Sequence, residues 1–192
     1  MALLTENEQF HLKIKKGDVG KYAILPGDPG RVPLIAKYLD NAEFVASNRE
    51  YTTYTGYLLG EKVSVVSTGI GGPSAAIAVE ELIRSGTDTF IRIGTSGGMD
   101  ISVSGGDLVV AQASIRSEGT SHEYIPENYP AVADFEVTTA LKAAGDALSE
   151  DVDGKRCHVG VVHSTASFYG EIEPLQICLL YTSPSPRDTE RS

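Results

Sequence analysis

Lys21-Tyr-Ala-Ile-Leu-Pro-Gly-Asp-Pro-Gly-Arg-Val32 joins a short apolar run to a dense turn and then to the start of a helical pattern. Lys21 to Pro26 reads as a buried strand, and Gly27-Asp28-Pro29-Gly30 as the turn that ends it. Val32, Ile35, Ala36 and Leu39 then recur at i, i+3, i+4 and i+7, which predicts a helix from about Pro29 to Leu39. Strand, glycine turn and helix in that order is the repeating unit of an α/β fold.

The same order returns downstream. Glu50 to Leu59 and Lys62 to Thr68 are rich in β-branched and aromatic residues and flank Leu59-Gly60-Glu61, which suits a hairpin turn. Gly69-Ile-Gly-Gly-Pro73 follows, with Pro73 placed as a first helical residue, and then Ala75, Val79, Leu82 and Ile83 at helical spacing. Thr87 to Ile93 reads as a strand ending in Gly94-Thr-Ser-Gly-Gly98. Asp107 to Ala113 and Cys157 to His163 are further strands, separated by a long loop and a helix with Val137, Leu141, Ala144 and Leu148 on one face. Strands alternating with helices, with one hairpin among them, predict an α/β fold whose sheet is mixed and flanked by helices.

Composition narrows the functional classes. The formal charge is −10 over 192 residues, which opposes generic binding to nucleic acid or anionic membrane. Any anion site must therefore be local. The two cysteines, Cys157 and Cys178, are too few for a disulfide framework or a four-thiolate zinc site. No apolar run approaches the roughly 18 residues of a membrane span, and residues 1–10 lack the pattern of a secretory signal. A cytoplasmic protein is the expectation.

Three glycine-rich turns, at 27–30, 69–72 and 94–98, each follow a strand, where α/β sheets present ligand sites. Any one of them could equally be a tight turn that binds nothing. Gly69-Ile-Gly-Gly-Pro-Ser74 has serine where a dinucleotide fingerprint needs its third glycine, and no turn carries the lysine of a P-loop. There is no Gly-x-Ser-x-Gly elbow, and His11, His122, His158 and His163 show no metal-ligand spacing. The arginines distinguish these turns. Arg31 follows the first, Arg92 lies in the apolar run Phe90-Ile-Arg-Ile-Gly94 just before Thr95, and Arg49 sits in Ser47-Asn-Arg-Glu50. An arginine in such a run needs an anion or a carboxylate beside it. Structural ion pairs would satisfy it, and so would a small phosphate met by guanidinium forks, glycine amides and a threonine hydroxyl.

Pro26-Gly-Asp-Pro-Gly-Arg-Val32, Ser67-Thr-Gly-Ile-Gly-Gly-Pro-Ser74, Phe90-Ile-Arg-Ile-Gly-Thr95 and Pro130-Ala-Val-Ala-Asp-Phe-Glu136 together resemble the nucleoside phosphorylases, in particular the branch acting on uridine. The likeness runs in order from about Phe10 to Phe168-Tyr169. It implies a three-layer fold with a mixed central sheet and a homohexamer built as a trimer of dimers. It further implies a pentosyltransferase of nucleoside salvage that converts uridine and phosphate into uracil and ribose 1-phosphate. No cofactor or metal is implied, inorganic phosphate being a co-substrate. By the same resemblance Gly27, Arg31, Arg92 and Thr95 hold phosphate from their own subunit, with Arg92 and Thr95 closest to the chemistry. Arg49 reaches the phosphate of a neighbouring subunit, His11 crosses a dimer interface to the ribose 5′-hydroxyl, and Phe168 packs against the nucleoside. A purine nucleoside phosphorylase, a water-using nucleosidase and a non-catalytic phosphate- or nucleoside-binding fragment are the alternatives.

Two departures limit the resemblance. Glu171 stands near the position where the family places a glutamine that reads the uracil edge, and a carboxylate only accepts hydrogen bonds. The Glu-Met-Glu segment that binds ribose hydroxyls in the family does not follow, and 175–192 ends in a Ser/Pro/charged stretch without periodicity. The expectation is an unfinished phosphorylase domain over 1–174 with a foreign or disordered tail over 175–192. A polypeptide of this form is expected to be inactive.

Overall fold

A computed structural model describes residues 8–151 and 154–169, so Glu171, Cys178 and the segment 175–192 lie outside the described residues. The chain divides between Thr95 and Ser96 into two compact units.

The first unit is a five-stranded mixed sheet in the order β2-β3-β4-β1-β5. Its strands are β1 (Tyr22–Pro26), β2 (Asp40–Asn48), β3 (Tyr51–Leu58), β4 (Glu61–Val66) and β5 (Thr89–Ile93). β1 runs parallel to both neighbours, Ile24 standing beside Val65 of β4 and Ile91 of β5, whereas β2, β3 and β4 pair antiparallel. The expected hairpin forms with Leu59 (φ 52°) and Gly60 (φ 86°) at its tip. Two positive φ values make it a type I′ turn, whose twist matches the strands.

Alternation along β1 sends side chains to two cores. Ala23 and Leu25 join Leu12, Ile14, Tyr51, Val66 and the Ala78 and Leu82 side chains of α2 (Gly72–Ser85). Tyr22 and Ile24 face the other way, toward Val63, Val65 and the Val32 and Ala36 side chains of α1 (Val32–Ala36). The two helices thus cover opposite faces of the sheet, giving the three layers expected. Fully buried Leu82 alone stabilises this packing by about 1.5–3 kcal/mol.

Two details differ from the sequence reading. The helix expected over 29–39 is a 3-10 turn, Pro29–Arg31, followed by the short α1, because Asp28 caps the turn through the Gly30 N–H. The buried stripe of α2 is Ala78, Glu81, Leu82 and Ser85, while Ile83 is 53% exposed. An acidic residue therefore holds a core position.

The second unit pairs β6 (Leu108–Ser117) in parallel with β7 (Cys157–Thr165), and contains α3 (Thr120–Tyr124) and α4 (Phe135–Asp151). α4 presents Gly145 to β7, since a methyl group there would strike the Cys157 thiol. Ala144 and Leu148, expected on the buried face of α4, are exposed. The Arg116 guanidinium donates to the carbonyls of Pro126, Glu127 and Tyr129 at 2.7–3.0 Å and so pins the loop after α3. Among the described residues no helix is long and apolar enough to cross a membrane.

Candidate functional site

β4, β1 and β5 are adjacent parallel strands, so their carboxyl ends deliver Gly69, Gly27 and Gly94 to one end of the sheet. From β1 the chain leaves over one face toward β2, and from β4 it leaves over the other toward β5. Adjacent strands whose connections part in opposite directions open a crevice at their carboxyl ends, the usual ligand position of an open α/β sheet. Two hydrogen bonds lace the crevice walls beyond the strands, Thr68 N to Pro26 O and Gly69 N to Gly27 O, each 2.9 Å. Gly69 (φ 67°) cannot be exchanged here, because a Cβ would also fall 2.6 Å from Glu50 Cγ.

Arg92 occupies the last turn of this crevice. Its Nη1 donates to Leu25 O at 3.1 Å and to Ile93 O at 2.5 Å. The guanidinium lies between two glycines: a Cβ on Gly27 would sit 3.2 Å from Nη2, and a Cβ on Gly94 would sit 3.2 Å from Nη1. A side chain at either position would press on the guanidinium. This contact strips water from one side of an otherwise exposed residue, and that desolvation, followed by the nearby Arg31 cation, pushes the Arg92 guanidinium below its ordinary range. An arginine stays charged at neutral pH regardless. Neither Arg31 nor Arg92 forms an ion pair with a carboxylate among the described residues. The structural ion pair that would have explained Arg92 is thus missing there, and the nearby Arg31 adds a second cation instead. Thr95 lies three residues after Arg92, exposed next to Gly94.

The remaining sequence-selected residues are placed elsewhere. Arg49 stands exposed at the tip between β2 and β3 with φ 55°, and the adjacent Glu50 turns inward, its Oε1 accepting from Ser74 Oγ at 3.0 Å. Its own main-chain N–H, and then the bond from Ser74, hold the Glu50 carboxyl below the usual carboxylate range. Phe168 belongs to the second unit, where it is 69% exposed with its ring edge-on to Tyr169.

His11 is no ordinary surface histidine. Its Nδ1 lies 2.7 Å from Oε1 of Glu81, its main-chain N–H and that of Leu12 donate to the same carboxylate, and its carbonyl accepts from Asn48 Nδ2 at 2.7 Å. Sequence reasoning missed Glu81 and Asn48. The available signal for Glu81 was an acid within the apolar stripe of α2, at Ala78 + 3 and next to Leu82.

The phosphorylase superfamily profile matches residues 21–180. A uridine phosphorylase of Treponema pallidum is 52% identical over 166 residues, covering 86% of this chain and 62% of the relative. One from Thermococcus kodakarensis is 51% identical over 164 residues, 85% of this chain and 57% of the relative. A guanosine phosphorylase of Halorubrum lacusprofundi is 46% identical over 164 residues, 85% of this chain and 66% of the relative. The chain therefore spans less than two thirds of the length of these relatives.

Proposed function

The chain belongs to the phosphorylase superfamily, and from that membership we propose that the protein cleaves uridine with inorganic phosphate to give uracil and ribose 1-phosphate. The observation that carries the proposal is Arg92, set against Gly27 at the carboxyl ends of three parallel strands with the Arg31 cation nearby, neither arginine paired to a carboxylate among the described residues. Two cations, one of them with guanidinium donors left open, fit a small, highly charged oxyanion better than a dinucleotide.

In this reading Gly27, Arg31, Arg92 and Thr95 orient the phosphate within one subunit. Arg49, exposed at its hairpin tip, and His11 serve the site of a neighbouring copy, within a hexamer assembled from dimers. Phe168 packs on the nucleoside. A phosphate oxygen forms a bond to the anomeric carbon while the glycosidic bond breaks, its electron pair leaving on the base, which takes up a proton. Positive charge builds on the sugar during this step, as in glycoside hydrolysis, and the ionised phosphate stabilises it. Catalysis is positioning and electrostatics, with no protein nucleophile and no cofactor. We place this activity in cytoplasmic nucleoside salvage.

A guanosine-cleaving enzyme is the second reading, favoured by the identity with the Halorubrum protein. The test is base release from uridine and from guanosine, with and without phosphate. It is run on the 192-residue chain and on a chimera completed with the C-terminal part of the Treponema relative. Phosphate-dependent uracil release supports the proposal. Guanine release selects the second reading, release without phosphate indicates a nucleosidase, and binding without turnover in both proteins refutes an enzymatic role.

A further inference from the structure

We propose that Glu81 is a positioning residue. It fixes the neutral His11 ring with its proton on Nδ1, so that Nε2 presents a bare lone pair that accepts the 5′-hydroxyl proton of the nucleoside. The sugar contact rests on the function proposed above; the tautomer rests on geometry alone.

The geometry leaves one assignment for an ionised Glu81. Main-chain N–H groups only donate, and they reach both carboxylate oxygens: His11 N at 3.0 Å from Oε1 and 3.1 Å from Oε2, and Leu12 N at 2.8 Å from Oε2. A carboxylate has no proton of its own to give, so the 2.7 Å contact between Oε1 and His11 Nδ1 requires the hydrogen on Nδ1. Glu81 is 5% exposed and forms no ion pair with lysine or arginine among the described residues, so these donors are what hold its charge in the core. Its place in the buried stripe of α2 also keeps it from swinging away. The ring is fixed from two further sides, by Phe10 edge-on at 4.9 Å and Tyr51 at 6.5 Å. Nε2 makes no hydrogen bond among the described residues, and the side chain is 28% exposed. A clamped ring with one satisfied nitrogen and one open nitrogen is built to receive a donor. A sugar hydroxyl is such a donor, and a substituent that only accepts hydrogen bonds is not.

Glu81→Gln tests this with little change of shape. An amide oxygen in place of Oε2 still accepts from both main-chain N–H groups, and the amide nitrogen then faces Nδ1 as a donor. The ring must invert its tautomer and carry the proton on Nε2. Long-range 15N spectra of His11 at about pH 8, above the usual imidazole range, read this directly in the 192-residue chain. The expected result is Nδ1–H in the wild type and Nε2–H in Glu81→Gln. Nε2–H in the wild type, or an unchanged tautomer in a folded variant, overturns the proposal. If the variant does not fold, the wild-type spectrum decides.

The second readout, taken in the completed chimera, is the ratio of kcat/KM for uridine to that for 5′-deoxy-5′-fluorouridine, whose fluorine accepts but cannot donate. The wild type should favour uridine by about three- to tenfold, the worth of one neutral hydrogen bond. The ratio should fall to within about twofold in Glu81→Gln, because Nε2–H can face fluorine; an unchanged ratio beside an inverted tautomer overturns the sugar contact. Absence of phosphorolysis in both the 192-residue chain and the chimera would refute the proposed function while leaving the tautomer measurement decisive for Glu81.

Discussion

Arg92→Ala separates a structural arginine from an anion-binding one. In the absence of ligand the substitution removes two bonds, from Nη1 to Leu25 O and to Ile93 O. Water can replace the guanidinium at the strand end, and loss of the repulsion from Arg31 offsets part of the cost. The net change in stability should stay below about 1 kcal/mol. Phosphate binding should suffer far more. Nη1 is occupied by carbonyls, which leaves the Nη2 and Nε donors for the anion; one charge-assisted hydrogen bond is worth about 1.5–3 kcal/mol, or roughly 13- to 160-fold in affinity. At a phosphate concentration of about 100 times the wild-type Kd, binding stabilises the wild type by about 2.7 kcal/mol. With affinity weakened by that factor, the same relation gives only about 0.3–1.3 kcal/mol for the variant. The assay is thermal or urea unfolding in phosphate against chloride at matched ionic strength. A variant that keeps the full phosphate-dependent gain would refute the assignment. So would a variant that loses several kcal/mol in chloride, since Arg92 would then be holding the fold.

Three further outcomes are expected. Thr53→Val should raise stability by about 0.5–2 kcal/mol in urea unfolding, because Thr53 is fully buried and its Oγ1 has no partner among the described residues. Leu59→Asn should gain about 0.5–1 kcal/mol in the same measurement, since Leu59 is 95% exposed at φ 52° in a turn position that asparagine tolerates better. The Asp107 carboxyl, held down to about 2 by the Ser104 N–H and then by the His158 ring, stabilises the native state fully above its ordinary value of 3.8. That contribution is lost as pH falls through about 2, so the stability difference between wild type and Asp107→Asn should be flat above about pH 4 and shrink below it. A difference that stays constant through that window would show that the carboxylate is not the stabilising form.

The elements that the sequence revealed are those with an unbroken period. β1, β3, β4 and α2 have apolar spacing that survives because both faces of this part of the sheet are covered. β2 escaped detection because it is the edge strand. Its register shifts between Asp40 and Glu43 and again between Phe44 and Ala46, which breaks the alternation that a reader counts. The buried face of α2 was misread by the same logic. Counting apolar residues selected Ile83 and passed over Glu81, whose burial depends on donors from His11 and Leu12, 70 and 69 residues away.

The sequence by itself determined that glycine turns follow strands, that arginines sit beside two of them in an acidic chain, and that no dinucleotide or P-loop pattern is present. It also carried the ordered motifs of the family. Only the tertiary structure decided that the turns at Gly27, Gly69 and Gly94 share one end of the sheet, and that the Arg31 cation lies near enough to bear on Arg92, neither of them paired to a carboxylate among the described residues. Only it showed that His11 is clamped by a buried acid on α2. The reason is physical. Turn chemistry and periodicity are local and survive in one dimension, whereas a binding site depends on which strands become neighbours, and the order β4-β1-β5 joins segments about 40 and 70 residues apart through backbone hydrogen bonds that no side-chain pattern encodes.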